Sequence, residues 1–369
     1  MNICIESHVL NHHRRGGLMT YTEGLVNGLY QNDQANDYVL TYYSLKRGPQ
    51  DMPGPIGPHF HKTVLKIPDR EFRGRQFLID KIALPIFFKS NKISIFHRPS
   101  GYTMPAVKGV LSILTVHDLR TLTIADSVWP QNITNYKKTL NSLDVCVVVS
   151  ECTKKDLLKY FKIDERKIKV IYLGADKRFK PAAYSKIEEV RAKYGIDQPF
   201  LLSVGSLPRK NIDGIIFGFA GSKIKNEFLL VLSCNCDISK YRRLAHDLGI
   251  DKRLFILDKV TDEEVVALYS GCHCFLFPSL YEGFGLPILE AMQCGAPVIT
   301  SDMSSCPEVA GDAALLVNPR NIQAISDAIN EICRNEKLRQ DLIQEGSQRV
   351  KLFDWNKSAQ EMKKIYDLA

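Results

Sequence analysis

The stretch HCFLFPSLYEGFGLPILEAMQCG, residues 273–295, decides the fold of this chain. An apolar run typical of a buried strand ends at a proline, a glycine-rich loop follows, and Pro287 opens a helix. Glu282 lies in the loop and Glu290 lies inside the predicted helix. A strand that leads through a glycine loop into a helix is the repeating unit of doubly wound α/β sheets.

The same junction predicts a binding site. Backbone N–H groups at the start of a helix have no partner within the helix, so they attract anions such as phosphate. Two carboxylates beside such a site, Glu282 and Glu290, do not suit phosphate alone. They suit a ligand that carries both phosphate and hydroxyl groups, such as a nucleotide sugar.

Strands alternate with helices along the whole chain, which predicts parallel sheets with helices on both faces. A first series of strands is expected at residues 2–7, 38–43, 94–97, 110–116, 145–149 and 168–172. A linker with one helix at 184–194 separates it from a second series at 200–204, 228–233, 254–257, 274–277, 297–300 and 314–317. The predicted fold is α/β, with two doubly wound Rossmann-like domains facing across a cleft, 1–175 and 176–354.

Length and composition agree with two domains of a soluble protein. The 369 residues are 45% hydrophobic and 24% charged, and no apolar run is long enough to span a membrane. The start of the chain lacks the basic and apolar regions of a signal peptide, so we expect a cytoplasmic location. The ten cysteines include two C-x-C pairs, but no second pair at zinc-site spacing, so no metal is expected.

The positive charge is concentrated in the first half. Residues 1–175 hold 24 Lys/Arg against 15 Asp/Glu, whereas residues 176–369 hold 25 against 26. Such a field attracts anionic partners, namely a lipid surface, a phosphorylated substrate or nucleic acid, but no nucleic-acid reader motif is present. Basic and apolar residues interleave over 70–92. This pattern fits a helix on an anionic membrane surface, and equally a helix buried against a sheet.

Further candidate residues stand at strand-to-helix junctions, where doubly wound sheets bind ligands. Gly16 and Gly17 follow the first strand, beside Arg14 and Arg15, and let a backbone approach phosphate. His117 closes the strand at 110–116, although a core histidine is the ordinary alternative.

Two cations, Arg209 and Lys210, follow the first strand of the second series and suit a pyrophosphate. A solvated loop is the ordinary alternative for this pair. Asn211 is placed to cap the next helix, and Ser150 is placed to cap a helix over 151–160.

These motifs, in this order, resemble those of a known family. The chain reads GG after the first strand, VHDL, VVSECTKKDL, GSLPRKN, and YEGFGLPILEAMQCGAPVITSDMSSCPEVAGDAALLVNP. It resembles a retaining glycosyltransferase of family 4 with the GT-B fold, most of all bacterial polysaccharide mannosyltransferases. The resemblance covers essentially the whole chain, and E-x7-E is its most specific part. The closing FDW-x3-A implies a last helix, 355–369, that packs back on the N-terminal domain.

The resemblance implies a role for each candidate residue of the second domain. Arg209 and Lys210 would bind the donor pyrophosphate and stabilise the departing nucleotide, and Glu290 would bind the ribose hydroxyls. Glu282 would contact the sugar 3- and 4-hydroxyls. The other implied donor-binding positions are the backbone N–H groups of Phe284, Gly285 and Leu286, and Ser206, where many members carry Arg.

In the first domain, the resemblance assigns the opposite wall of the donor site to Gly16 and Gly17. Gly17 would approach the phosphate and the acceptor. His117 would contact the donor sugar, with its backbone carbonyl facing the reacting carbon.

The predicted reaction is metal-independent transfer of a hexose with retention, and no cofactor is expected. The first donor considered is GDP-mannose, followed by UDP-hexoses. The acceptor would be a growing glycan or a lipid-linked saccharide in polysaccharide or lipopolysaccharide synthesis, with peripheral contact to the inner face of the membrane. The alternatives are a UDP-sugar-dependent transferase, a UDP-sugar 2-epimerase or phosphorylase of the same fold, and a catalytically silent nucleotide-sugar-binding partner.

Overall fold

The computed structural model describes the chain except residues 12–15, 69–71, 124–132, 235–236 and 369. It divides into two compact units, each with its own parallel sheet. The N-terminal unit comprises Met1–Gly174 and Phe353–Ala369, and the C-terminal unit comprises Ala175–Leu352.

The sheet of the N-terminal unit has the strand order β3-β2-β1-β4-β5-β6-β7, and every described pair is parallel. The strands are β1 (Asn2–Glu6), β2 (Asp37–Tyr43), β3 (Phe60–Leu65), β4 (Ile95–Arg98), β5 (Leu111–Val116), β6 (Val145–Val148) and β7 (Ile168–Val170). The central strands are almost fully buried because helices cover both faces of a parallel sheet. Its helices are α1 (Gly17–Asn32), α2 (Arg75–Leu78), α3 (Leu84–Ser90), α4 (Arg120–Thr123), α5 (Ile133–Ser142), α6 (Glu151–Tyr160) and the last helix of the chain, α15 (Trp355–Tyr366).

Helix α15 packs closely on α1, and two glycines of α1 permit this contact. A Cβ atom on Gly24 would lie 2.2 Å from Cε2 of Trp355, and one on Gly28 would lie 2.7 Å from the Trp355 carbonyl oxygen. Any larger residue at either position would displace α15.

The C-terminal unit repeats the same architecture with the strand order β10-β9-β8-β11-β12-β13. The strands are β8 (Phe200–Val204), β9 (Leu229–Ser233), β10 (Leu254–Leu257), β11 (Cys274–Phe277), β12 (Val298–Ser301) and β13 (Leu315–Val317). The helices are α7 (Tyr184–Tyr194), α8 (Ile212–Gly221), α9 (Ile238–Asp247), α10 (Asp262–Gly271), α11 (Leu286–Gln293), α12 (Cys306–Ala310), α13 (Ile322–Arg334) and α14 (Glu336–Arg349). The chain order reverses between β8 and β11, which is where such sheets place a ligand.

Most predicted elements are confirmed, and two of the missed ones, β3 and α12, have a physical reason. The strand β3 reads FHKTVL and is only partly buried, since it forms the edge of its sheet and shows no apolar run. Helix α12 has only five residues, which are too few for a helical periodicity to be recognised in the sequence. Helix α5 also went unpredicted.

The stretch 70–92 forms α2, a π-helical turn over Ile79–Ala83, and α3, while residues 70 and 71 lie outside the described part. One face is buried, which confirms the interpretation as a core-facing helix for that face. The other face exposes Phe77 by 65%, Ile82 by 46% and Ile86 by 65%. In the part of the chain that the structure describes, no helix has the length and apolar character needed to cross a bilayer.

Candidate functional site

The loop after β8 sets the position of the two predicted cations. Gly205 has a φ of +120°, and a Cβ there would lie 3.2 Å from Cγ of Lys210, so glycine lets the loop fold over the lysine stem. A short 3₁₀ turn over Pro208–Lys210 follows.

Asn211 ends this turn with a φ of +59° and is the N-cap residue of α8, as predicted, but its side chain makes no capping hydrogen bond. Its amide instead donates hydrogen bonds to the carbonyl oxygens of Pro278 (3.1 Å) and Pro319 (2.7 Å). Asn211 therefore ties the β8 loop to the loops after β11 and β13, because an asparagine tolerates the left-handed region and offers two N–H donors.

The loop that carries Glu282 is fixed by two neighbouring serines. Ser304 Oγ accepts a hydrogen bond from the Glu282 backbone N–H (3.0 Å). Ser305 Oγ lies 2.9 Å from the Glu282 carbonyl and 2.7 Å from the Phe284 carbonyl. Sequence reasoning missed both serines, although the pair stands out at the end of the family-like TSDMSS run.

Glu282 forms ion pairs with both predicted cations. Its Oε1 lies 2.8 Å from Lys210 Nζ and its Oε2 lies 2.5 Å from Arg209 Nη1. Burial alone would raise the pKa of Glu282, but Lys210 and Arg209 hold that pKa below its usual value. Burial lowers the pKa of Lys210, whose ammonium also lies 4.2 Å from the centre of the Phe277 ring.

This cluster, which we call the donor cluster (Arg209, Lys210 and Glu282), holds two cations and one carboxylate. It therefore keeps an excess positive charge in a buried setting, where charge is weakly screened. Arg209 Nε is buried and has no hydrogen-bond partner among the described residues. An unpaired buried donor is unfavourable, and an anionic ligand would satisfy it.

Helix α11 adds N–H donors on the same loop. Gly285 precedes the helix with a φ of +110°, a conformation that favours glycine, and Phe284 is buried beside it. The backbone N–H groups of Gly285 and Leu286 make no hydrogen bond within the described residues. They are donors for an anion or a hydroxyl oxygen.

Glu290 lies further along α11, and its Oε2 accepts a long hydrogen bond (3.4 Å) from the Tyr269 hydroxyl. Burial raises the pKa of Glu290 to about 7, and Lys210 opposes that shift. A carboxylate with one long hydrogen bond retains acceptor capacity for two neighbouring hydroxyl groups. Ser206, in contrast, is exposed and makes no side-chain hydrogen bond among the described residues.

In the N-terminal unit, Gly16 and Gly17 begin α1. Gly16 has extended backbone with a φ of −161°. A Cβ on either glycine would meet no atom of the described residues within 4 Å. Neither packing within the described residues nor a positive φ requires glycine at these two positions. Arg14 and Arg15 lie outside the described residues.

His117 follows β5 and is half-buried. Its Nε2 lies 2.7 Å from the carbonyl oxygen of Pro99, so Nε2 carries the proton and Nδ1 is the acceptor. Burial lowers the pKa of His117, which keeps the ring neutral. The backbone carbonyl of His117 accepts a hydrogen bond from Thr153 Oγ1 (3.3 Å), and a second lone pair remains on it.

Comparison with known proteins identifies the family. Residues 15–179 match the model of "Glycosyltransferase Family 4", and residues 186–349 match that of "Glycosyl transferases group 1". The chain therefore belongs to the group 1 and family 4 glycosyltransferases, as its motifs predict.

Its relatives include bacterial mannosyltransferases. The chain is 27% identical over 357 residues to the serotype-specific mannosyltransferase WbdA of Escherichia coli, across 91% of this chain and 43% of the relative. It is 28% identical to the O-antigen chain mannosyltransferase B of Escherichia coli, across 74% of each chain. The chain thus spans less than half the length of WbdA.

Solved structures confirm the GT-B fold. Sucrose-phosphate synthase from Thermosynechococcus elongatus matches with a TM-score of 0.77 at 22% identity, across 100% of this chain and 98% of that one. WaaG, a glycosyltransferase involved in lipopolysaccharide biosynthesis, matches with a TM-score of 0.73 at 16% identity, across 99% and 98%. Anabaena HepE in complex with UDP-glucose matches with a TM-score of 0.75 at 16% identity, across 100% of both chains.

Proposed function

We propose that this protein transfers a hexose from a nucleotide sugar to a glycan or lipid-linked saccharide, with retention of configuration and without a metal ion. GDP-mannose is the first donor proposed, in line with the mannosyltransferase relatives. The observation that carries the proposal is the donor cluster, which holds an excess positive charge beside the unpaired N–H groups of α11.

In this proposal, Arg209 and Lys210 hold the donor diphosphate. Negative charge on the leaving diphosphate grows during the reaction, so fixed cations stabilise the transition state more than the bound donor. Glu282 keeps the two cations in place before the donor arrives. The donor phosphates then take over part of these contacts, and Glu282 binds the sugar hydroxyls.

Retention requires the acceptor hydroxyl to arrive on the side from which the diphosphate departs. We assign the acceptor proton to a leaving phosphate oxygen rather than to a protein carboxylate. Glu282 is a poor nucleophile because two cations engage its oxygens and hold its pKa low. Mass spectrometry of the enzyme with a slow donor checks this step, since a glycosyl group trapped on Glu282 contradicts it.

In this proposal, the remaining candidate residues contact the ribose, the sugar and the phosphate of the donor. Glu290 would accept hydrogen bonds from the ribose hydroxyls, for which its oxygens have spare capacity. Neutral His117 would accept a hydrogen bond from a donor sugar hydroxyl through Nδ1. Gly17 would leave room for the phosphate and the acceptor.

We further propose peripheral contact with the cytoplasmic face of an anionic membrane, which would present a lipid-linked acceptor. The exposed face of α2, the π turn and α3 carries Phe77, Ile82 and Ile86 next to the exposed Lys81 and Lys89. Apolar side chains between cations suit the boundary between headgroups and acyl chains. Co-sedimentation with anionic vesicles should fall in the double variant Phe77→Ser, Ile86→Ser; equal sedimentation of both proteins contradicts the contact.

A thermal-shift panel of GDP-mannose and UDP-hexoses tests the donor assignment. A donor that binds the folded state raises the melting temperature as its concentration increases, by RT ln(1 + [L]/Kd) in free energy. Lys210→Ala should abolish this response. Lys240→Ala is a matched control, because Lys240 forms an exposed ion pair with Asp213 and should leave the response unchanged.

UDP-sugar transfer is the second candidate, favoured by the shared fold of HepE, whose structure contains UDP-glucose. The same panel separates the two donors. A response to UDP-glucose but not to GDP-mannose replaces the first donor assignment, whereas no response to any nucleotide sugar contradicts the proposed function.

A further inference from the structure

Four buried polar side chains of the N-terminal unit form a continuous hydrogen-bonded chain. Tyr366 Oη lies 2.7 Å from His97 Nδ1, and His97 Nε2 lies 2.8 Å from Thr115 Oγ1. Thr115 Oγ1 in turn lies 2.9 Å from Tyr21 Oη. All four residues are at most 2% exposed. This series of hydrogen-bonded side chains, which we call the tyrosine relay (Tyr366, His97, Thr115 and Tyr21), links α15 through β4 and β5 to α1.

The tyrosine relay ends against His117. The rings of Tyr21 and His117 meet edge to face, with centroids 4.7 Å apart and planes at 84°. Thr115 lies near the end of β5, and His117 directly follows that strand. Pro99 holds the other edge of the imidazole through Nε2. Tyr21 and Pro99 therefore fix the ring from two directions.

Both ends of α15 reach Tyr21. Tyr366, the last residue of the helix, does so through the tyrosine relay. Trp355, the first residue, contacts Tyr21 directly, with ring centroids 6.1 Å apart. The backbone at Gly174 makes room for Trp355, since a Cβ there would lie 2.3 Å from the Trp355 nitrogen. The helix therefore braces the same tyrosine twice.

The tyrosine relay does not carry charge. Burial lowers the pKa of His97 to about 3, so the ring is neutral at ordinary pH, with one donor and one acceptor nitrogen. Each of its two hydrogen bonds then has a donor and an acceptor, whichever tautomer is present. A satisfied neutral network in the core holds its members in one arrangement.

We propose that Tyr21 is a positioning residue for His117, and that α15 supports Tyr21 through His97. The inference rests on the proposed contact between His117 and the donor sugar. A ring that is free to turn would lose its aligned Nδ1 acceptor, and a misplacement of about 1 Å in an active site can cost about 100-fold in rate.

The alternative is that these side chains only stabilise the fold. A double-mutant cycle on kcat separates the two roles, because residues that act through one another are not additive. Tyr21→Phe removes the hydroxyl and keeps the ring, so it tests the relay with the least disturbance. Tyr42→Phe is the matched control, since Tyr42 is also fully buried and its hydroxyl also takes part in internal hydrogen bonds, to the Pro53 carbonyl and with Ser7.

We expect Tyr21→Phe to lower kcat about 3- to 10-fold with little change in donor KM, and Tyr366→Phe to have a smaller effect in the same direction. Neither change should lower kcat further in the His117→Ala background. Tyr42→Phe should reduce stability by a similar amount and leave kcat unchanged. Equal effects of Tyr21→Phe with and without His117, or an unchanged kcat in the single variant, overturn the inference.

Nitrogen-15 NMR of the His117 ring gives a second measurement that needs no turnover. In the wild type, we expect sharp signals of the Nε2-protonated tautomer that the Pro99 carbonyl selects, and in Tyr21→Phe the same tautomer with signals broadened by motion of the ring. Identical spectra overturn the inference even if transfer is never observed. The proposed function fails in a different way, namely when no nucleotide sugar binds the wild type; a His117→Ala variant with unchanged transfer overturns only the inference.

Discussion

The two units each bury an ion cluster, and the two clusters have opposite charge. The donor cluster in the C-terminal unit holds two cations, Arg209 and Lys210, against one carboxylate. In the N-terminal unit, Arg98 Nε lies 2.8 Å from Glu6 and its Nη2 lies 2.8 Å from Asp80, so one cation meets two carboxylates.

The clusters also differ in how completely they are paired. Arg98 further donates to the Thr103 carbonyl (2.6 Å), and Asp80 accepts from Gln76 (3.0 Å) and from the Thr103 hydroxyl (2.6 Å). The Arg98–Asp80 pair joins β4 to the π turn before α3, and the other contacts add β1, α2 and the loop after β4 to the same network. Arg209 in the donor cluster keeps a buried Nε without a partner among the described residues. A fully paired cluster holds the fold together, whereas one with spare cationic donors is suited to a ligand.

The largest expected effect on stability is in the N-terminal cluster. Arg98→Met leaves the buried Asp80 and the partly buried Glu6 without their cation and should lower the free energy of unfolding by about 3–5 kcal/mol. Urea unfolding followed by circular dichroism measures this loss. A loss below about 1 kcal/mol would show that Arg98 does not hold the fold together and would remove the contrast between the clusters.

The matching change in the donor cluster is Glu282→Gln, which leaves two neighbouring cations without their carboxylate. We expect a smaller destabilisation of about 1–3 kcal/mol, and a nucleoside diphosphate should bind more tightly because Glu282 no longer competes for the cations. Sugar transfer should fall. Calorimetric titration with the nucleoside diphosphate measures its dissociation constant for both proteins. Weaker binding by Glu282→Gln than by the wild type contradicts the assigned role of Glu282.

Glu290 provides a pH-dependent test in the same unit. Its pKa is raised to about 7 in the fold from 4.5, so the folded state binds more protons than the unfolded state between these values. Its contribution to stability therefore falls as pH rises through this window, by about 1–3 kcal/mol in total. Melting curves of the wild type and Glu290→Gln at pH 5 and pH 8 isolate this change. If the melting temperatures of the two proteins change equally between these pH values, the assignment to Glu290 is wrong.

The smallest effect on stability is expected at Gly17. Gly17→Ala meets no described atom and puts a better helix former in the first turn of α1, so stability should change by less than about 1 kcal/mol. Transfer should nevertheless fall, because a methyl group would occupy the space left for the ligand. Unchanged kcat/KM would mean that no ligand approaches this glycine.

Two predicted helix caps illustrate how far the sequence reaches. The Ser150 cap is confirmed, with its hydroxyl accepting a hydrogen bond from the Thr153 backbone N–H (3.0 Å). The Asn211 prediction is correct in position, since Asn211 is the N-cap of α8, but its amide does not cap the helix and binds carbonyl oxygens 67 and 108 residues away in sequence. A cap is a contact over three residues, which a sequence window contains, whereas the partners of Asn211 lie on separate loops.

The charge asymmetry of the sequence likewise does not predict which charges meet in the folded protein. The first half carries the whole positive excess, yet its buried cluster is negative, and the near-neutral second half buries the positive one. Net charge counts side chains that are mostly in solvent, so it describes the surface field. The sign at a buried site depends on which few side chains face one another.

The sequence by itself determined the family, the GT-B fold, the order of most elements and the positions of the candidate residues, because periodicity and loop motifs are local properties of the chain. Only the tertiary structure decided that Glu282 pairs with both cations, that Asn211 joins two loops, and that α15 braces Tyr21 against His117. These contacts join residues that are distant along the chain, and burial then sets their charge, tautomer and hydrogen-bonding capacity.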